Sequence, residues 1–249
     1  PFYPLHPEIS REHLGERWIK PGPGYLPLVG KLRKFLKEQQ IDVIIDIDIV
    51  LDALAIPATR GTRTKVVSWE HFTVDFELSS WYRRMILGYS VKRSDYVVVL
   101  TNGDFEAYRN RLGRKNAISR IYNPVAYRFD KEPVCEKKNI ILTVGRLVPE
   151  KGTEYIKKVS LQILERYSGW QWILLGDGIE RKNLEQFIID HHLQNRLILK
   201  GNVENVDWYL QQASIFVMAS QYEGLGLSIL EAREMKVPCV CFDVKMGPR

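Results

Sequence analysis

Apolar residues follow two alternating patterns along the chain. Short continuous runs rich in valine and isoleucine are typical of strands that are buried on both faces of a sheet. Between them lie longer stretches whose apolar residues recur every three to four positions, which is typical of amphipathic helices. In the first half, the pattern predicts strands over 41–47, 65–69, 95–100 and 117–122, and helices over 26–39, 76–89 and 101–112.

The same alternation restarts in the second half. It predicts strands over 139–144, 170–175, 196–200, 214–219 and 238–242, and helices over 150–167, 179–191, 206–212 and 224–235. Residues 126–138 carry charge and a proline but no clear period, so we interpret them as a linker. The alternation of strands and helices predicts an α/β fold with parallel sheets. We therefore expect two Rossmann-like domains, over 1–125 and 139–249, that face a cleft.

The composition excludes several classes of protein. The chain has 249 residues, of which 45% are hydrophobic and 27% charged, an ordinary mixture for a globular protein. No apolar run reaches the roughly 18 residues of a membrane-spanning helix. The first residues lack the basic start and apolar run of a signal peptide, and the odd number of cysteines favours a reducing compartment. We therefore expect a cytoplasmic protein rather than a secreted or membrane-spanning one.

The formal net charge of +6 is unevenly distributed. Much of the excess lies in one stretch without acidic residues, whose cations are Arg109, Arg111, Arg114, Lys115, Arg120 and Arg128. Such a stretch is either a solvated helix face or a surface that attracts an anionic partner. Nothing in the sequence resembles a nucleic-acid-binding module. If the stretch has a partner, acidic lipid on the inner face of a membrane or a phosphorylated acceptor is therefore favoured.

Basic side chains follow the strand predicted over 139–144. Gly145 permits a sharp turn, and Arg146 and Lys151 come before the next helix. A guanidinium fork and an ammonium group beside a helix N-terminus suit a diphosphate. The alternative is that both cations are simply solvated.

A second anion-binding turn is predicted after the strand over 214–219. Gly224 and Gly226 expose backbone N–H groups at the expected start of a helix. Glu223 precedes them, and Glu231 follows two turns into that helix. The alternative for Glu223 is that it only complements the helix dipole.

These two segments carry a resemblance to a known family. GRLVPEKG followed by YEGLGLSILEA, together with LLGDG, resembles the donor-binding domain of the retaining GT-B glycosyltransferases of the family-four type. The resemblance covers residues 139–249 closely and extends to the first half through WEHF, SDYVVVLT and IYNPV. It implies an acceptor-side domain over 1–125 and a nucleotide-sugar domain over 139–249. It also implies that family elements are missing at both ends of the chain.

The resemblance assigns a role to each candidate residue of the second half. Arg146 and Lys151 would hold the donor diphosphate, and Glu231 would accept hydrogen bonds from the ribose hydroxyls. Glu223 would lie beside the donor sugar. The remaining donor contacts would come from the backbone of Gly224, Leu225, Gly226 and Val203.

His71 matches a histidine that the family places over the donor sugar from the other domain. The alternative is an ordinary surface histidine. Asp46 and Asp48 mimic an Asp-x-Asp metal motif, but they end a strand of the first domain, and the resembled family needs no metal. Capping or contact with an acceptor is the better interpretation of this pair, and we expect neither a metal nor a cofactor.

The expected activity is transfer of a hexose, with retention, from a nucleotide diphosphate sugar. UDP is the expected nucleotide, and a glycan or lipid-linked sugar of bacterial polysaccharide biosynthesis is the expected acceptor. Two other classes stay open. One is a nucleotide-sugar 2-epimerase of the same architecture, and the other is a non-catalytic module that binds sugar nucleotides.

Overall fold

The protein is described here by a computed structural model, which covers residues 6–15, 24–125 and 136–244. The chain divides into two compact units. One comprises Pro1–Val99 and Phe105–Arg120, and the other Leu100–Asp104 and Ile121–Arg249. Most of the predicted linker, residues 126–135, lies outside the described residues, and the strand predicted to open the second half begins at Lys138.

The first unit is built on a parallel sheet. In the described part of the chain its strands are β1 (Val43–Ile47), β2 (Lys65–Glu70), β3 (Tyr96–Val99) and β4 (Ile118–Arg120), and they lie side by side in chain order. The helices are α1 (Tyr25–Glu38), α2 (Asp52–Thr59), α3 (Val74–Glu77), α4 (Trp81–Arg93) and α5 (Asn102–Asn110), with a 3-10 turn at Ile49–Leu51. Leu32 and Leu36 of α1 pack with Leu54 of α2 and Val66 of β2 to form a core.

The helix predicted over 76–89 is in fact two helices. Thr73 caps α3 by accepting a hydrogen bond from the Phe76 N–H, and Ser80 caps α4 by accepting one from the Arg83 N–H. The two caps fix separate starting points, so the chain turns between them. Helix α2 was not predicted, because its residues are buried on most sides and show no amphipathic period.

The second unit has a doubly wound sheet. Its described strands are β5 (Lys138–Val144), β6 (Gln171–Leu175), β7 (Leu197–Gly201), β8 (Ala213–Met218) and β9 (Cys239–Cys241), all parallel in the order β7-β6-β5-β8-β9. A 3-10 turn at Pro149–Lys151 precedes helix α6 (Thr153–Arg166), and the other helices are α7 (Arg181–Asp190), α8 (Val206–Gln212) and α9 (Leu227–Glu234). Separate apolar clusters cover the two faces of the sheet. The predicted α/β class with parallel sheets is confirmed.

The strand order of the second unit reverses between β5 and β8. In open parallel sheets, ligands bind at such a switch point, outside the carboxyl ends of the strands. Gly152, at a φ of 74°, separates the 3-10 turn from α6, so the helix predicted over 150–167 begins only at Thr153. Gly226, at a φ of 69°, delays α9 in the same way, from the predicted 224 to Leu227. Glu223, Gly224 and Leu225 therefore lie in the loop before α9.

Candidate functional site

The loops that follow β5 and β8 are in direct contact. The Gln221 N–H donates a hydrogen bond to the Glu150 carbonyl at 2.9 Å. Gly152 lies against the backbone of Ala219, so closely that a Cβ atom on Gly152 would be 1.9 Å from the Ala219 carbonyl oxygen. Only a residue without a side chain permits this approach. The contact joins the two loops at the switch point of the sheet.

Lys151 and Glu223 form an ion pair across these loops. Lys151 Nζ lies 2.6 Å from Glu223 Oε1, and the two side chains are 27% and 10% exposed. Because water is partly excluded, the attraction between the two charges is stronger than in a fully exposed pair. Two of the predicted site residues, 72 positions apart in the chain, are thus in contact.

Arg146 projects from the same loop as Lys151. Its side chain is exposed, and within the described residues it has no hydrogen-bond or ion-pair partner, whereas the next residue, Leu147, is buried. The Leu147 N–H donates to Asp177 O, and its carbonyl accepts from the Glu180 N–H, both at 2.9 Å. The backbone is therefore held in place while the guanidinium is free to meet an anion.

Two further glycines fix this loop. A Cβ atom on Gly176 would be 2.0 Å from the Gly145 carbonyl oxygen, and one on Gly178 would be 2.2 Å from that of Leu147. The turn after β6 therefore packs directly under the loop that carries Arg146. Sequence reasoning did not assign Gly176 or Gly178 to the site. Their LLGDG segment was the available signal.

Glu231 lies on α9, beyond the loop that contains Gly224, Leu225 and Gly226. Its side chain is half-buried, and burial raises the pKa of its carboxyl group. No described residue donates a hydrogen bond to it. A partly desolvated carboxylate without a protein donor is suited to accept hydrogen bonds from hydroxyl groups of a ligand.

The two remaining predicted residues, Val203 and His71, each follow a different strand. Val203 lies in the loop after β7 and packs, half-buried, against the core on one face of the sheet. His71 belongs to the first unit and directly follows β2, with its ring centroid 5.9 Å from that of Trp69. Burial lowers the pKa of His71, so that its imidazole is more readily neutral. Within the second unit, the ion pair thus brings together Lys151 and Glu223 but does not include Val203.

The first unit contains a buried polar cluster that sequence reasoning missed. Asp46 and Asp52 are both buried, and Asp52 Oδ2 accepts a hydrogen bond from Ser68 Oγ at 2.6 Å. Burial raises the pKa of Asp46 to about 8, and the neighbouring Asp52 carboxyl adds to the rise. Asp46 Oδ2 and Asp52 Oδ1 are buried and accept no hydrogen bond from the described residues. A proton held by Asp46 and shared with Asp52 removes the repulsion between them.

Arg83 gathers a second group of carboxylates in this unit. Its guanidinium donates two hydrogen bonds to Glu77, at 2.9 and 2.6 Å, and one to Asp48 at 3.0 Å. It also lies over the rings of Phe72 and Phe76. Asp48 caps the 3-10 turn by accepting from the Val50 N–H, as predicted for capping. In the described part of the chain no group of three or more metal-ligating side chains is arranged to hold an ion.

The predicted basic stretch is not a single free surface. Arg111 forms an ion pair with Asp75 at 2.7 Å, so the expectation that it meets no acid was wrong. Arg114 donates to the carbonyl oxygens of Val91, Ser94 and Asp95 and so closes the C-terminal end of α4. Asp75 is distant in sequence and adjacent only in the fold. Arg128 lies outside the described residues.

Two family models together match almost the whole chain. The model for glycosyltransferase family 4 matches residues 4–128, and the model for glycosyl transferases group 1 matches residues 127–249. An uncharacterized glycosyltransferase of Haemophilus influenzae is 27% identical over 248 residues, which cover 99% of this chain and 70% of the relative. A lipopolysaccharide 1,6-galactosyltransferase of Escherichia coli is 26% identical over 225 residues, which cover 87% of this chain and 60% of the relative.

A solved structure shares the fold. Anabaena Alr3699/HepE, in complex with UDP and glucose, superimposes with a TM-score of 0.74 at 21% identity, over 89% of this chain and 63% of that protein. At this identity the match shows the fold, which is the GT-B type. The chain thus spans between 60% and 70% of the length of these three proteins.

Proposed function

Since the chain belongs to glycosyltransferase family 4, we propose that it transfers a hexose from a UDP-sugar, with retention at the anomeric carbon. The proposed acceptor is a glycan or a lipid-linked sugar in bacterial polysaccharide biosynthesis. The observation that carries the proposal is the contact between Lys151 and Glu223 at the switch point of the second unit. It brings a cation suited to a diphosphate and a carboxylate suited to sugar hydroxyls into one place.

In the proposed mechanism, Arg146 and Lys151 bind the donor diphosphate. As the bond from the sugar to the phosphate breaks, negative charge accumulates on the departing nucleotide, and both cations stabilise it. The N–H groups of Leu225 and Gly226 before α9 contribute the partial positive charge of a helix N-terminus. For Lys151 to reach the phosphates, its contact with Glu223 lengthens or is shared. Glu223 is then available to the hydroxyl groups of the sugar.

Three further residues contact the ribose, the base and the sugar of the donor in the proposed mechanism. Glu231 accepts hydrogen bonds from the ribose, which suits its half-buried carboxylate without a donor among the described residues. The backbone at Val203 contacts the base. His71 acts on the donor sugar from the first unit, and its lowered pKa favours the neutral imidazole that can both donate and accept. UDP as the nucleotide is supported by its presence in the Anabaena protein.

The reaction as proposed uses no metal, because Arg146 and Lys151 supply the positive charge. We place it at the inner face of the cytoplasmic membrane, where a lipid-linked acceptor would be found. The free thiols of Cys239 and Cys241 suit a reducing compartment. None of the described helices is both long and apolar enough to cross a membrane.

A donor panel tests the proposal. The chain is incubated with radiolabelled UDP- and GDP-sugars and with mixed glycan and lipid-linked acceptors, and the products are separated. Transfer from a UDP-sugar with the anomeric configuration kept, seen by NMR, is the expected result. Conversion of the donor into its 2-epimer would replace the proposal with an epimerase. Binding of UDP without turnover by either route would indicate a non-catalytic module.

A further inference from the structure

Helix α4 exposes an apolar stripe. Trp81, Met85 and Tyr89 follow one another at intervals of four residues and are 71%, 61% and 39% exposed. At about 100° per residue, three positions with this spacing span an arc of about 80° on one side of the helix. The opposite side packs into the first unit through Ile86, Leu87 and Val91. Helix α4 therefore carries large apolar side chains on its exposed side as well as on its buried side.

Positive charges surround this stripe. Arg84, Lys92 and Arg93 are exposed on the same part of α4, and the helix itself carries no acidic residue. None of the three has an ion-pair partner within the described residues, although Arg84 donates one hydrogen bond to the Leu78 carbonyl. Around the helix axis, Arg84 falls on one flank of the stripe, Arg93 on the other, and Lys92 at its C-terminal end.

This arrangement matches the chemistry of a bilayer surface. Tryptophan and tyrosine have an apolar ring with a polar tip, which favours the boundary between headgroups and acyl chains. Arginine and lysine next to them attract anionic headgroups while their alkyl stems stay in the apolar layer. A helix of 13 residues is about 20 Å long, which is enough to lie in the plane of the interface. A second protein would not by itself require three unpaired cations around the stripe.

We propose that the outer side of α4, formed by Trp81, Met85 and Tyr89 with Arg84, Lys92 and Arg93, docks the protein onto an anionic lipid bilayer. The inference deepens the proposed function, because a docked enzyme would meet a lipid-linked acceptor at the membrane. It does not depend on turnover. Arg111 and Arg114 of the basic stretch are engaged within the protein, so the docking surface differs from the one that the sequence predicts.

Vesicle binding of the whole chain tests this surface. One set of vesicles is phosphatidylcholine alone, and the other contains an equal share of phosphatidylglycerol. The chain should co-sediment with the anionic vesicles and release as salt is added, since the attraction fades within a Debye length. Trp81→Ser combined with Met85→Ser should weaken binding. Lys92→Glu combined with Arg93→Glu should weaken it at least about 25-fold, because each near-surface cation contributes about fivefold.

Matched controls change similar residues elsewhere. Ile179→Ser removes an apolar side chain of the second unit that is also highly exposed. Arg109→Glu with Lys115→Glu reverses two cations of the basic stretch. Both controls should bind anionic vesicles like the unchanged chain. Tryptophan fluorescence with brominated lipids adds a local readout, because quenching at Trp81 should disappear in Trp81→Phe while binding persists.

Each contrary outcome overturns the inference. Equal pelleting with neutral and anionic vesicles, or no pelleting, would show that α4 does not dock to an anionic bilayer. Loss of vesicle binding only in the Arg109 and Lys115 variant would identify the basic stretch, and not α4, as the docking surface. A dimer that dissociates in the Trp81 and Met85 variant, without vesicle binding, would identify a second copy as the occupant. Titration of UDP into the same variants keeps the questions separate, since vesicle binding without UDP binding would uphold the surface and overturn the proposed function.

Discussion

Lys151 is held by a carboxylate that competes with any anion for it. The Lys151–Glu223 contact of 2.6 Å neutralises both charges in a partly shielded place. For a diphosphate to bind Lys151, it must replace or share this partner. The strength of the ion pair therefore sets how much of the attraction of Lys151 is available to the donor.

The Glu223→Gln variant should bind UDP as tightly as the unchanged chain, or up to about fivefold more tightly. Its Lys151 no longer has a competing carboxylate, and a partly exposed ion pair contributes up to about 1 kcal/mol. Transfer of sugar should fall, since the carboxylate beside the sugar is lost. Calorimetric titration of UDP and a transfer assay measure the two effects. Glu231→Gln is the matched control, because loss of the carboxylate that accepts hydrogen bonds from the ribose should lower the affinity for UDP. A similar loss of UDP affinity in both variants would contradict the division of roles.

The pair of Asp46 and Asp52 makes stability depend on pH. With a pKa of about 8, Asp46 keeps its proton in the folded protein up to that pH, whereas the unfolded chain releases it near pH 4. The folded state thus holds more protons than the unfolded state between about pH 4 and about pH 8. Stability should fall as the pH rises through this window and level off above it.

Asp46→Asn should reduce this dependence, because the amide has no proton to release and can still donate a hydrogen bond to Asp52. The slope that is removed is at most about 1.4 kcal/mol per pH unit. Urea unfolding midpoints over the window measure it. A slope remains from Asp52, Glu70 and Glu77, whose pKa values burial also raises. Asp42→Asn, at an exposed position, is the control. An equal slope in the unchanged chain, Asp46→Asn and Asp42→Asn would contradict the shared proton.

At the scale of elements, the sequence predicted the strands well and the helix starts poorly. Apolar strands such as β3 and β6 are recognisable because burial on both faces leaves little choice of residue. The start of α4 depends on one hydroxyl, that of Ser80, and the start of α9 on the left-handed backbone of Gly226. Such local features interrupt an apolar period without changing it. A pattern of hydrophobicity cannot detect them.

The contact between the loops after β5 and β8 gives a test at this scale. Gly152→Ala would place a Cβ atom 1.9 Å from Ala219 O on a backbone that is already left-handed. The expected loss of stability is at least about 3 kcal/mol, from overlap and backbone strain together. Gly30→Ala is the matched control, because α1 has open space at this position. It should stabilise by about 0.5–1 kcal/mol. Chemical unfolding of both variants is the measurement, and equal effects would contradict the close approach.

At the scale of the whole molecule, the sequence motifs and the charge pattern differ in how much of the fold they predicted. The segments around Arg146 and Glu223 were recognisable because glycines, cations and acids occur there in a fixed order after predicted strands. The contact between Lys151 and Glu223 is visible only in the fold, since the two residues are 72 positions apart in the chain. The charge of the basic stretch was overestimated from the sequence, because Arg111 meets Asp75 only in the fold. The apolar stripe on α4 was not predicted, because its exposed apolar residues could not be told apart in the sequence from the buried ones of the same helix.

The central claim is that the loops after β5 and β8 bind the diphosphate of a nucleotide sugar, and titration of UDP tests it most directly. Arg146→Ala and Lys151→Ala should each lower the affinity for UDP by about 10- to 150-fold, since a hydrogen bond to a charged group contributes about 1.5–3 kcal/mol. Lys158→Ala, on the exposed surface of α6 in the same unit, is the control. The account predicts loss of UDP affinity in the first two variants and none in the third. Unchanged affinity in both loop variants, with the fold intact, would contradict it.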